Sequence, residues 1–183
     1  MDLASLQKSI ADQGKHPPVE KWDPSFCGDI PMVIKQDGSW HYMGSPIGRQ
    51  PLVQLFASII KEEDGKYYLV TPVEKVGIEV QDVPFVVTEW RQQDQYILLT
   101  TSVGDELIVS PDNPVKLRFN QLHRDHLPYV RVRRNLWARF HQNVFYQLIE
   151  LGEESVTDSG EKVLQLQSGG YRFNLGNLEP DDA

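Results

Sequence analysis

Apolar positions fall at helical spacing in three places. Leu3, Leu6 and Ile10 form one stripe over residues 2–13, predicting a short amphipathic helix. Leu52, Val53, Leu55, Phe56, Ile59 and Ile60 form a second over 51–61, opened by Pro51, which a first helical turn tolerates. Leu136, Phe140, Val144, Phe145, Leu148 and Ile149 form a third. They predict a long helix over 136–151, capped by Asn135 and ended by Gly152. Elsewhere the pattern shortens to β-forming runs. Met32 to Ile34 and Trp40 to Met43 flank an Asp37-Gly38 hairpin signal. Tyr67 to Thr71 and the alternating Val76, Ile78 and Val80 make a pair. Phe85 to Trp90, Tyr96 to Ser102, Glu106 to Val109, Val115 to Phe119 and Tyr129 to Arg133 follow at regular spacing. Val163 to Leu166 and Tyr171 to Leu175 close the series. The fold expected is α+β, with antiparallel sheets and two principal helices. Gly28-Asp29 reads as a turn, Glu62-Glu63-Asp64-Gly65 as a helix end that turns the chain into the next strand, and Glu179 to Ala183 as a frayed acidic tail.

The pattern repeats. Ile30-Pro31-Met32-Val33 resembles Leu127-Pro128-Tyr129-Val130, and each precedes a Trp-containing tract, a helix, an acidic glycine turn and a hydrophobic strand. This points to an internal duplication. The expected organisation is a helix and connector over 1–24, a first α+β half over 25–82, and a β-rich second half with a C-terminal helix over 83–183.

Composition narrows the function classes. The chain has 183 residues, 40% of them hydrophobic, enough for a folded core. Its formal net charge of −8 disfavours general affinity for nucleic acid or a membrane surface, and duplex nucleic acid above all, whose phosphates the surface would repel. A single cysteine, Cys27, forbids an internal disulfide. No apolar run reaches the length of a membrane span, and the N-terminus lacks the apolar core of a signal peptide, so a cytoplasmic protein is expected.

Charge is segregated. Six of the nine arginines (Arg118, Arg124, Arg131, Arg133, Arg134 and Arg139) lie between residues 118 and 139, opposed there only by Asp125. Guanidinium forks suit phosphate oxygens. Two residues apart on a strand, Arg131 and Arg133 are expected on one face. Arg134 and Arg139 extend the cluster, and Tyr129 is a candidate for base stacking. A second anion candidate is the helix start after Gly44-Ser45-Pro46-Ile47-Gly48-Arg49, where Ser45 and Arg49 stand near backbone amides, although the phosphate-loop pattern is missing. Thr71, Glu74 and Lys75 could line the same cleft, or form a kinked edge strand with a surface ion pair. His123, His126 and His141 lack the spacing of a metal site, and Cys27 has no activating neighbour. Nothing implies a cofactor, and no catalytic constellation is present.

The segments FCGDIPMVI, YMGSPIG, LFASII, YYLVTPVEKVGIEVQDVPF, VGDE, YVRVR and VFYQLIELGE resemble those of a proteobacterial family catalogued as a domain of unknown function. The resemblance runs from about Pro18 to Phe173. It implies a duplicated α+β core with a superficially pleckstrin-homology-like second half. It also implies a ligand site between the halves, for a nucleotide, and a signalling role. Three readings follow. One is a non-enzymatic protein that binds a small phosphorylated ligand. Another is a hydrolase using Asp29 or Glu74. The last is a protein-interaction module presenting a strand edge or groove.

Overall fold

A computed structural model describes residues 3–11 and 16–178; the expected acidic tail lies outside them. The chain divides into two compact units after Asp82.

The first unit begins with helix α1 (Leu3–Ala11), whose Leu6 and Ile10 are buried, and which packs on α2 (Gln50–Ala57). Its strands are β1 (Phe26–Ile34), β2 (Trp40–Tyr42), β3 (Ser45–Pro46), β4 (Ile60–Glu63), β5 (Lys66–Val70) and β6 (Lys75–Val80). They form one sheet in the order β3-β2-β1-β6-β5-β4, antiparallel except where β1 meets β6. Buried Met32, Ile34, Trp40, Phe56, Ile59, Ile60 and Leu69 form much of its core.

The second unit holds β7 (Phe85–Gln93), β8 (Tyr96–Thr101), β9 (Glu106–Ile108), β10 (Val115–Asn120), β11 (Asp125–Arg133) and β12 (Leu136–Phe140). They form a second six-stranded sheet, in the order β10-β11-β12-β7-β8-β9, with one parallel pair, β12 and β7. Helix α3 (Gln142–Leu151) and a three-stranded sheet of β13 (Glu153–Val156), β14 (Lys162–Ser168) and β15 (Tyr171–Asn177) complete it. The protein is thus α+β, with two similar six-stranded sheets and an internal duplication: a strand pair, a helix and a three-strand meander occur in each unit. No helix among the described residues is long and apolar enough to cross a membrane.

Several elements differ from the sequence expectation. The long helix over 136–151 is a strand followed by a ten-residue helix. Leu136, Ala138 and Phe140 also alternate at period two, and the ladders to β11 and β7 favour that period. His141, not Asn135, caps α3: its Nδ1 accepts the Asn143 N–H at 3.1 Å. Helix α2 stops at Ala57, so Ile59 and Ile60 leave it and β4 begins. The Asp64-Gly65 pair turns the chain as expected, but between two strands rather than at a helix end. Both residues have positive φ (52° and 81°), the geometry that favours this dipeptide between two strands. Gly28, at φ 100°, lies inside β1 at an irregularity in its pairing with β6. Glu153–Val156, unassigned by pattern, is a strand.

Candidate functional site

Strands β10, β11 and β12 lie side by side, and residues directly opposite one another share a sheet face. Lys116 faces Tyr129, which faces Arg139; Arg118 faces Leu127; Arg131 faces Trp137. Alternation places all of them on one face. The side chains confirm the register. The Arg118 guanidinium stands 4.5 Å from the centre of the Trp137 ring and 5.9 Å from that of Tyr129. Lys116 Nζ stands 5.7 Å from the Trp137 ring. Such cation–aromatic contacts hold a charge in place without neutralising it. No acidic residue occurs in 114–119 or 127–140.

Beneath the cations lies a small apolar cluster of Val83, Leu127, Tyr129 and Trp137. Tyr129 is only 1% exposed, and its hydroxyl accepts a hydrogen bond from Asn120 Nδ2 at 3.0 Å. Its ring is therefore part of the floor and offers no open face to a base. Arg131 donates through Nη2 to the Asp112 carbonyl at 2.8 Å, a neutral acceptor. Arg134 sits in the β11–β12 turn at φ 50°.

Arg133 does not join Arg131. The β11–β12 ladder shifts register between them, so that Arg133 opposes Leu136, on the other face from Trp137. A bulge re-aims a side chain in this way. Arg133 forms an ion pair with Asp105, and its guanidinium lies 5.0 Å from the centre of the Phe85 ring. The same-face expectation for the two arginines fails for that reason.

The other sequence candidates belong to the first unit. Ser45 and Arg49 are exposed, Ser45 on β3 and Arg49 at the start of α2, where its carbonyl accepts from Leu52 and Val53. Thr71 is buried, and its hydroxyl accepts the N–H groups of Val73 and Glu74, closing the turn into β6. One Glu74 carboxylate oxygen, Oε2, is buried without a hydrogen-bond partner. Lys75 pairs with Glu63, as Lys61 does at 3.2 Å, and lies 4.4 Å from the Tyr68 ring centre. These hydrogen bonds hold the Glu63 carboxyl below its ordinary range and raise the Lys75 ammonium above its own.

Asp29 lies across β6 on Gly77: a Cβ there would stand 1.9 Å from Asp29 Oδ1. With Phe26, Tyr67, Tyr68 and Ile78 it lines an open groove of about 280 Å³. Cys27 is exposed, its thiol donating to the Ser25 carbonyl. His123 lies in the turn after β10 and His126 on β11. Among the described residues no group of His, Cys, Asp or Glu could hold a metal.

The structure thus adds Lys116 and Trp137 to the arginine cluster. The alternation in Val115-Lys116-Leu117-Arg118-Phe119 signals that both cations share a face; only strand pairing shows that the face is that of Arg131 and Arg139.

Comparison with known proteins agrees with this architecture. The family model described as Domain of unknown function (DUF1285), N-terminal domain, matches residues 17–83. Its companion, Protein of unknown function (DUF1285), C-terminal domain, matches residues 84–175. The chain belongs to the DUF1285 family. A crystal structure of a DUF1285 family protein from Silicibacter pomeroyi DSS-3, at 2.50 Å resolution, is 40% identical and superposes with a TM-score of 0.84. The match covers 97% of this chain and 96% of that one. A DUF1285 family protein from Shewanella baltica OS155, solved at 1.40 Å, is 27% identical with a TM-score of 0.55, over 66% of this chain and 91% of that one. No curated protein matches the chain.

Proposed function

We propose that this DUF1285 protein is a non-enzymatic binding protein for a small phosphorylated ligand, held on the basic face of β10, β11 and β12. The observation that carries this reading is the set of four cations, Lys116, Arg118, Arg131 and Arg139, around Trp137 on one sheet face. Phosphate oxygens accept several charge-assisted hydrogen bonds at once, and guanidinium forks supply them in pairs. A nucleotide meets these requirements through its phosphates; the buried Tyr129 ring gives no support to base stacking.

The test is thermal unfolding against nucleotides, sugar phosphates and pyrophosphate, at low and moderate salt. A ligand at about 100 times its Kd adds roughly 2.7 kcal/mol. For a chain of this length that raises Tm by roughly 5–10 °C. The shift is expected to vanish in Arg131→Ala/Arg139→Ala and to persist in Lys75→Ala. A flat response across the panel, or a shift that the double variant retains, overturns the reading.

A further inference from the structure

We propose that the apex of the β10–β11 hairpin docks on an anionic lipid surface. The inference stands apart from the small-ligand reading, because its central residues, Phe119, Leu122 and Arg124, take no part in that site.

Two large apolar side chains stand in water at this apex. Phe119 is 55% exposed and Leu122 is 64% exposed. Leu122 lies in the turn beyond the last ladder pair, Asn120 with Asp125, so no neighbouring strand shelters it. Phe119 makes a T-shaped contact with the His126 ring, 5.5 Å away between centres. The turn is nevertheless held in shape. Buried Asn120 accepts the His123 N–H through Oδ1 and donates to the Tyr129 hydroxyl through Nδ2, both at 3.0 Å. Arg124 closes the turn at φ 51°, a conformation uncommon for a side-chain-bearing residue. A pinned turn presents the apolar pair without an ordering cost at the moment of contact.

Charge selects the occupant. Arg124 lies in the apex turn, Arg118 and Lys116 lie behind it along β10 on the sheet face opposite Phe119, and the hairpin's one acidic residue, Asp125, turns a carboxylate oxygen to the His126 N–H at 2.8 Å. The whole chain carries −8, so an anionic surface repels most of it and attracts this hairpin. Apolar side chains at a tip with cations just behind them match the layering of a bilayer: acyl boundary first, anionic headgroups next. An acidic peptide would instead call for apolar contacts along a groove or strand edge; here they gather at a turn.

The experiment is sedimentation of the full chain with phosphatidylserine–phosphatidylcholine vesicles and with pure phosphatidylcholine vesicles, at low and raised salt. Partitioning is expected to be at least about tenfold stronger with phosphatidylserine, and to weaken with salt. Phe119→Ser/Leu122→Ser should lower it about tenfold, and Arg124→Glu by a few fold. Circular dichroism and any anion-induced thermal shift should stay unchanged in these variants. Leu122→Trp should add blue-shifted emission only with phosphatidylserine vesicles. Equal binding to both vesicle types, no sedimentation, or apex variants that sediment like the wild type would overturn the proposal. So would apex variants that alter only self-association or binding to an acidic peptide. If Arg131→Ala/Arg139→Ala abolishes sedimentation while the apex variants do not, headgroup capture on the sheet face explains the binding and the apex proposal fails.

Discussion

The hairpin of β1 and β2 and that of β11 and β12 share one pairing scheme and carry different surfaces. In the first, Met32 opposes Tyr42 and Ile34 opposes Trp40. In the second, Tyr129 opposes Arg139 and Arg131 opposes Trp137. Read in step from the shared Pro31 and Pro128, Met32 corresponds to Tyr129, Ile34 to Arg131, Trp40 to Trp137 and Tyr42 to Arg139. The tryptophan is kept and its neighbours are exchanged. Met32, Ile34 and Trp40 are sealed in the core of the first unit. Their counterparts include two half-buried arginines, and Trp137 lies under Arg118. Pairing register is set by the backbone ladder and by which face is buried, so one copy can make its face wholly apolar while the other sets cations around a buried Tyr129 and Trp137.

Exchanging the corresponding residues gives the sharpest test of that difference. Ile34→Arg puts an unpaired cation into the first unit's core and should cost about 5 kcal/mol, enough to unfold the unit. Arg131→Ile should change stability by under about 1 kcal/mol and remove the anion response. Urea denaturation followed by circular dichroism distinguishes the two. Comparable costs would mean that the two faces are not distinct environments.

A smaller effect separates the two arginines of β11. Arg133→Ala leaves Asp105 partly buried without its ion-pair partner, at a cost of about 2 kcal/mol. It should leave anion binding intact, because the bulge has turned Arg133 away from the basic face. Measured stability and anion-induced Tm shift should therefore move independently in Arg131 and Arg133 variants. A joint loss in both would place the arginines in one site and contradict the register shift.

The sequence made the duplication and the arginine cluster visible, but not how the cluster divides. The Asp37-Gly38 turn and the paired Ile30 and Leu127 segments are local signals, and local signals survive in a linear reading. Leu136, Phe140 and Val144 satisfy both helical spacing and, in part, strand alternation; the choice between them depends on β7, some fifty residues upstream. The β4 sequence Ile60-Lys61-Glu62-Glu63 and the β13 sequence Glu153-Glu154-Ser155-Val156 lack apolar alternation, because neighbouring strands rather than their own side chains keep them extended. The bulge after Arg131 has no glycine or proline to announce it. Asp105, the partner of Arg133, comes from the connection between β8 and β9, so the ion pair is a product of tertiary structure.

The smallest expected effect is a pH dependence that only the first unit's cations should show. Lys61 and Lys75 converge on Glu63, whereas the second unit's basic face relies chiefly on arginines, which do not titrate in the working range. The Glu63 carboxyl is lowered from 4.5 chiefly by the hydrogen bond from Lys75, then by that from Lys61. A lowered folded-state pKa means the native state binds the proton less readily than the unfolded chain does. The resulting stability is fully present above the ordinary value and is lost as pH falls through the lowered one. Lys75 is raised from 10.5 by the same pair, so its share is present below that value and is lost as pH rises through the raised one. All three side chains retain some exposure, and the contribution is expected to be under about 1 kcal/mol. Urea midpoints measured from neutral pH into the acid range should fall less steeply for Glu63→Gln than for the wild type. Arg131→Ala should leave the acid slope unchanged, since Arg131 hydrogen-bonds a carbonyl rather than a carboxylate. If Glu63→Gln follows the wild-type slope, the lysine pair adds no measurable stability, and the expected difference in pH response between the two units fails.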